Sequence, residues 1–382
     1  MNLRDHLGKR IVVCCGSGGV GKTTIAAALA LQGAIQGQQT LVITIDPAKR
    51  LATSLGLSEP TNGLCPIPTE RLISYGIEAK GSLWALMLDA QGTVDELVAR
   101  YAPTQKIQER ILSNRLYQNF SSTFSGVLEY VALEKLCQLY TESPFDLIVL
   151  DTPPTRQALD FIEAPIKVLN FLQFVGPYLS AQTLWMKMMQ RGISAIFKVL
   201  ENIIGASFLK NVTDFLFSFQ GMFQGIRLRT EKVKELLTSD HTTTIFLITS
   251  PGDLALQEAI SLYQKLKGYQ MPLGGFIVNK VHDLSLDGQP CPEEEPARLF
   301  EKLRCELKSH KDLPEGELRA VAQYLEESFK RMRLQAQADQ KALQVLKDLT
   351  QETELIQPIP YFPTDIFDLD GLKKINDALF PK

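Results

Sequence analysis

One lysine, two threonines and four glycines fall within nine residues, Gly16-Ser17-Gly18-Gly19-Val20-Gly21-Lys22-Thr23-Thr24. Glycines at Gly18, Gly19 and Gly21 let a backbone curl until its N–H groups, that of Val20 among them, face one concave side, and such a nest binds phosphate oxygens. An apolar, β-branched run from Ile11 to Cys15 precedes the segment, and an Ala/Leu-rich stretch from Ile25 to Gln32 follows it. Strand, glycine loop, helix is the context that gives G-x-x-x-x-G-K-[ST] its mechanism. The positive end of the helix lies under the anion. Lys22 would reach the β- and γ-phosphates, and the Thr23 hydroxyl would bind Mg²⁺. The segment predicts a site for a nucleoside triphosphate.

Two acids sit where such a site needs them. Asp151 follows four apolar residues, Leu147 to Leu150, as suits a carboxylate holding Mg²⁺ directly or through water. Asp46 ends a second apolar run, where a base can orient water towards a γ-phosphate or an Asp-Pro pair can simply form a turn.

The elements that carry these residues read as strands alternating with helices. Apolar runs occur at Gln39 to Ile45, Phe145 to Leu150, Thr243 to Thr249, Gly274 to Val278 and Ile356 to Ile359, with a weaker strand expected at Leu72 to Ile77. Near-continuous apolar strands separated by helical segments predict an α/β fold, a mostly parallel sheet covered by helices on both faces. Ligands in such sheets lie at the carboxyl ends of strands, and Gly16, Asp46, Asp151, Ser250, Asn279 and Pro360 fall at such ends. Gly316 to Leu349 reads as an amphipathic helix with an apolar stripe of Val321, Leu325, Met332 and Leu346.

Composition bounds the function. A formal net charge of −3 over 382 residues gives no electrostatic basis for nucleic-acid binding. The first nine residues contain no apolar stretch, and six scattered cysteines with no C-x-x-C among them predict reduced thiols and a cytoplasmic location.

The phosphate loop, T-I-D-P-A-K-R-L at Thr44 to Leu51 and D-T-P-P-T at Asp151 to Thr155 resemble the ArsA-type ATPases, a branch of the MinD/ParA-like P-loop class. The likeness continues through S-P-G-D-L-A-L-Q-E-A at Ser250 to Ala259, V-N-K at Val278 to Lys280 and I-P-Y-F-P at Ile359 to Pro363. The family includes the arsenite-pump ATPase subunit and the ATPase that targets tail-anchored membrane proteins. The resemblance implies that Asp46 is the catalytic acid that polarises water, that Thr24 contacts the α-phosphate, and that Thr23 and Asp151 serve Mg²⁺. It implies that Asn279 hydrogen-bonds adenine and that the Pro360 loop packs on the base. It further implies a nucleotide-gated dimer, a homodimer or a heterodimer with a paralogue, and a helical subdomain inserted into one P-loop domain spanning 1–382.

Three departures set this chain apart. Ser17 stands where the family carries a lysine that reaches the partner's phosphates, with Lys49, Arg50 and Arg156 the nearby replacement cations. The zinc-binding C-x-x-C of the tail-anchor ATPase is missing, so no zinc is expected. The cysteine spacing suggests no soft-metal cluster, which counts against an arsenite or anion-pump subunit.

The inserted subdomain is placed at 165–238, a zone rich in Phe and Met. Phe171, Phe174, Trp185, Met188, Met189, Phe215, Phe219 and Met222 would line an adaptable client groove, or else pack the subdomain's own core. The function expected is a Mg²⁺-dependent ATPase that couples hydrolysis to a hydrophobic client or membrane partner. The alternatives are a low-turnover nucleotide-dependent scaffold paired with a paralogue, and a partition-type ATPase, the latter weakened by the size of the inserted zone.

Overall fold

The computed structural model describes residues 2–45, 50–56, 63–114, 117, 127–153, 155–180, 222–283, 285–286, 289–290, 315–351, 354–366 and 368–381. Eight strands form the main sheet: β1 (Ile11–Gly16), β2 (Gln39–Thr44), β3 (Leu64–Pro66), β4 (Ser82–Met87), β5 (Leu147–Asp151), β6 (Thr243–Thr249), β7 (Leu273–Val281) and β8 (Leu355–Pro360). Their spatial order is β8-β7-β6-β1-β5-β2-β4-β3. Every neighbouring pair is parallel except β3 with β4. β1 therefore lies centrally between β5 and β6, and its carboxyl end delivers the glycine loop to the middle of the sheet edge.

Alternate residues along each strand feed two separate cores, as the period of two requires. Ile11, Val13, Cys15, Ile148 and Leu150 face one core; Val12, Cys14, Leu147 and Val149 face the other. The first core is closed by helices α7 (Val127–Glu142), α8 (Thr155–Ser180), α9 (Phe223–Thr238), α10 (Asp253–Gly268) and α11 (Glu315–Thr350). The second is closed by α1 (Leu3–His6), α2 (Lys22–Ile35), α3 (Arg50–Ser54), α4 (Thr69–Ser74) and α12 (Leu369–Leu379). Helices α5 (Ala90–Tyr101) and α6 (Gln105–Leu112) pack beside α9 in a small third cluster. No helix among the described residues is long and apolar enough to cross a membrane.

The two chain ends meet on the second core. Arg4 donates to the carbonyls of Phe380 and Pro381 at 3.3 and 3.0 Å. His6 meets the Thr244 hydroxyl at 3.1 Å, and burial pushes its imidazole down to about 4, so it packs as a neutral ring.

Three expectations from the sequence need correction. Leu72 to Ile77 is not a strand: Leu72 lies in α4, and the sheet position belongs to β4, Ser82–Met87. Pro68 precedes the first turn of α4 and Glu70 complements its positive end, a helix start that outweighs the short apolar alternation. The stretch Thr155 to Ala164, expected to link Asp151 to the helices of the inserted zone, is itself helical, because α8 begins at Thr155 and runs unbroken through Pro165 to Ser180. The stripe on α11 is buried only in its second half. Ala336, Asp339, Leu343 and Leu346 are covered, whereas Val321 and Met332 are 47% and 49% exposed.

Candidate functional site

The glycine loop leaves β1 at Gly16, where a side chain would collide with the Ile248 carbonyl of β6, so the close approach of the two strands requires glycine. At Gly21 the backbone turns left-handed, φ +93°, and a side chain would strike the Asn279 amide. Gly21 is also the N-cap of α2 and offers no side-chain cap. The first N–H groups of that helix therefore remain available to an anion. Gly18 and Gly19 are exposed on the loop crest, and Val20 is buried beneath it.

Lys22 is 8% exposed, and its ammonium donates to the Ser17 carbonyl at 2.7 Å, which folds the side chain back over the loop. The Ser17 hydroxyl is buried and finds no hydrogen-bond partner among the described residues. An orphaned hydroxyl inside a nest of backbone amides fits an oxygen-rich ligand.

Beside the loop, three side chains from three elements converge. Thr23 at the start of α2 donates to Asp151 Oδ2 at 2.7 Å, and Thr44 at the end of β2 donates to the same oxygen at 2.9 Å. Asp151 is the last residue of β5 and is 1% exposed. Hydroxyl and carboxylate oxygens at this spacing are the hard donors that Mg²⁺ takes. Thr44 is the residue that sequence reasoning missed; its signal was a hydroxyl closing an apolar strand two residues before Asp46. Ile45 donates its N–H to the Asp151 carbonyl at 3.3 Å, so the chain leading into Asp46 starts beside the Thr23–Asp151 pair. Asp46 itself lies outside the described residues, as do Lys49 and the side chains of Arg50 and Arg156.

Thr152 ties β5 to β1, its hydroxyl donating to the Cys14 carbonyl at 2.9 Å. Behind the loop, burial and then the nearby Asp151 charge hold the Cys14 thiol well above its usual range, and burial pushes Cys15 up to about 12. Both thiols stay protonated and inert.

Asn279 lies within β7, near its end, and its amide donates to the Val20 carbonyl at 2.8 Å while accepting from the Lys280 N–H at 2.9 Å. The strand end thus touches the phosphate loop directly. Pro360 closes β8 and is exposed opposite Val281. Thr24 is partly buried on the first turn of α2.

The apolar zone divides. Phe171 is 51% exposed on α8. Met222 is not a groove residue: it is 4% exposed and packs with Val98, Ile111 and Tyr117 in the third cluster, because it sits at the start of α9 facing α5 and α6. Trp185, Met188, Met189, Phe215, Phe219 and the Phe174 side chain lie outside the described residues. Between α8 and α9 runs a groove of about 700 Å³ lined by Ile166, Leu169, Leu172, Gln173, Phe223 and Arg227, among others.

Known proteins are similar to this chain over most of its length. A protein of Aquifex aeolicus named as an arsenical pump-driving ATPase is 25% identical over 284 residues, which cover 71% of this chain and 63% of that protein. ATPase GET3 of Podospora anserina is 22% identical over 280 residues, covering 73% of this chain and 75% of that one. The ATPase ASNA1 homolog of Dictyostelium discoideum is 24% identical over 266 residues, 70% of each chain. The family model described as anion-transporting ATPase matches residues 9–305. That match runs from ahead of β1 past β7, through the glycine loop and the Thr23–Asp151 pair alike: the chain belongs to the anion-transporting ATPase family, and it is an ATPase of the ArsA type.

Proposed function

We propose that this ATPase works with Mg²⁺ as a nucleotide-gated dimer, with itself or with a paralogue, and couples hydrolysis to binding or targeting a hydrophobic client or membrane partner. The observation that supports it most is the convergence of Thr23, Thr44 and Asp151 at the mouth of the glycine loop. Thr23 and Asp151 would hold the metal, which when bound neutralises charge on the phosphates. The loop amides and Lys22 bind and orient the phosphate chain, Thr24 sits on the same helix turn for the α-phosphate, and Asp46 polarises the attacking water. Asn279 and the Pro360 loop bound the place for the base. For the client, the support is the half-exposed Phe171 and the groove between α8 and α9.

Paired substitutions test this reading. Lys22→Ala removes charge-assisted contacts worth about 1.5–3 kcal/mol each, so ATP affinity should fall roughly ten- to a hundredfold. Asp46→Asn should keep ATP affinity and lose hydrolysis, because only a transition-state role is removed. Calorimetry with unchanged affinity in the lysine variant would sink the phosphate-loop assignment; wild-type turnover in the second would reduce Asp46 to a turn residue.

Ser17 favours a second reading, a slow subunit completed by a paralogue that supplies the trans-acting cation. Turnover alone and with a paralogue separates the two. An anion pump, which the Aquifex protein's name suggests, finds no metalloid ligand in Cys14 and Cys15, both fully buried and protonated.

A further inference from the structure

Asp339 interrupts the apolar seam by which α11 is anchored. Its neighbours on that face are Ala336, Leu343 and Leu346, all buried, and Asp339 itself is 1% exposed. Spacing of three and four residues calls for an apolar side chain there. A buried carboxylate in its place is destabilising unless its lone pairs are filled, and here His282 fills one oxygen and Gln335 the other. Asp339 Oδ2 accepts the main-chain N–H of His282 at 2.8 Å and lies 2.8 Å from His282 Nδ1; Gln335 donates to Oδ1 at 3.0 Å. An ionised carboxylate only accepts, so the proton of the imidazole sits on Nδ1, and the ring orientation is fixed.

The fixed ring has a neighbour. His282 stacks on Tyr361 with centroids 4.7 Å apart and planes 19° from parallel. Tyr361 follows Pro360 at the end of β8, and its N–H bonds the Val281 carbonyl at 2.9 Å. Tyr361 remains 49% exposed as a residue. Three residues before His282, Asn279 holds the Val20 carbonyl of the phosphate loop. A continuous set of contacts therefore leads from the phosphate loop, across the end of β7, to an open aromatic surface whose orientation is set by α11.

We propose that Asp339 is a positioning residue for the nucleobase: through His282 it sets the Tyr361 ring and the loop behind it, so affinity for the base, but not for the phosphates, depends on α11. The inference rests on the nucleotide-site reading given above. It also makes the long helix sensitive to whether a nucleotide is bound, since a base resting against this loop and the Asp339 clamp act on the same ring pair.

The test compares calorimetric affinities for Mg²⁺-ATP and for inorganic tripolyphosphate, which has the phosphates and no base. The full-length wild type, Asp339→Asn, His282→Ala and Tyr361→Ala would each be measured, with thermal midpoints alongside. Asp339→Asn, His282→Ala and Tyr361→Ala should each weaken ATP about tenfold, the scale of one lost stacking contact, and leave tripolyphosphate unchanged. A merely structural Asp339 would lower the midpoint and weaken both ligands equally, and that result overturns the proposal. So does ATP affinity in Asp339→Asn equal to wild type. If the wild type binds ATP no more tightly than tripolyphosphate, the base has no site at this strand end and the proposal falls with it; if it binds neither, the nucleotide-site reading fails first.

Discussion

Ser17 presents the sharpest residue-scale question. Its carbonyl holds the Lys22 ammonium, and its own hydroxyl is buried with no partner among the described residues. A lysine at this position would add positive charge where negative charge grows during phosphoryl transfer. Ser17→Lys should therefore raise steady-state turnover about tenfold or more if no other cation does this work. Turnover that stays flat or falls would show that another residue fills the role, and Arg50→Ala or Arg156→Ala should then be the damaging change. At this scale the sequence was most legible where chemistry restricts residue type. That the glycine loop, Lys22, Thr23 and Asp151 would come together could be read from spacing, because a strand, glycine loop and helix in this order leave few other arrangements. Thr44 and Asp339 could not. Each depends on a partner distant in sequence, Asp151 for one and His282 for the other, and neither has a local pattern of its own.

Among the elements, α11 is the one whose two halves behave differently. Its second half carries Leu343 and Leu346 into the first core, while Tyr324, Phe329 and Met332 on the first half stay exposed. Leu346→Ala should cost about 2–5 kcal/mol, the range for a buried leucine. Met332→Ala should change stability by no more than about 0.5 kcal/mol. Denaturant midpoints of the two variants measure the contrast, and an equal loss would mean that the first half is covered in solution. The helix itself followed from its periodicity, yet periodicity marks only which face could be buried. What covers that face is a tertiary fact. The same limit explains Leu72 to Ile77, whose alternation over so few residues fits a strand and a short helix alike.

At the scale of the whole molecule, β5 ends at Asp151 and α8 starts at Thr155, so the carboxylate proposed to serve Mg²⁺ and a 26-residue helix are almost directly joined. At 1.5 Å per residue, that helix spans about 39 Å, and a small tilt at its Thr155 end becomes a large displacement at the far end. Nucleotide can regulate a client only if the client's surface differs between states. Hydrogen exchange over 165–225 should therefore differ between ADP and a non-hydrolysable ATP analogue. Deep protection in both states would make the region ordinary core. The parallel sheet and its two covered faces were legible because buried parallel strands are apolar throughout; the strand order was not, since β1 meets β5 and β6 across long stretches of chain. One detail of that order reaches beyond this chain. The Tyr361 N–H points towards β7, so in β8 the even-numbered residues Ile356, Pro358 and Pro360 turn to the open side. Proline has no N–H to give, which leaves Ile356 as the one donor along that rim. The opposite rim is β3, three residues ending at Pro66. Among the described residues both rims are poor templates for another strand, which disfavours edge-to-edge fusion of the sheets of neighbouring copies. A second copy that joined this protein would then be recognised through side chains rather than through a shared sheet.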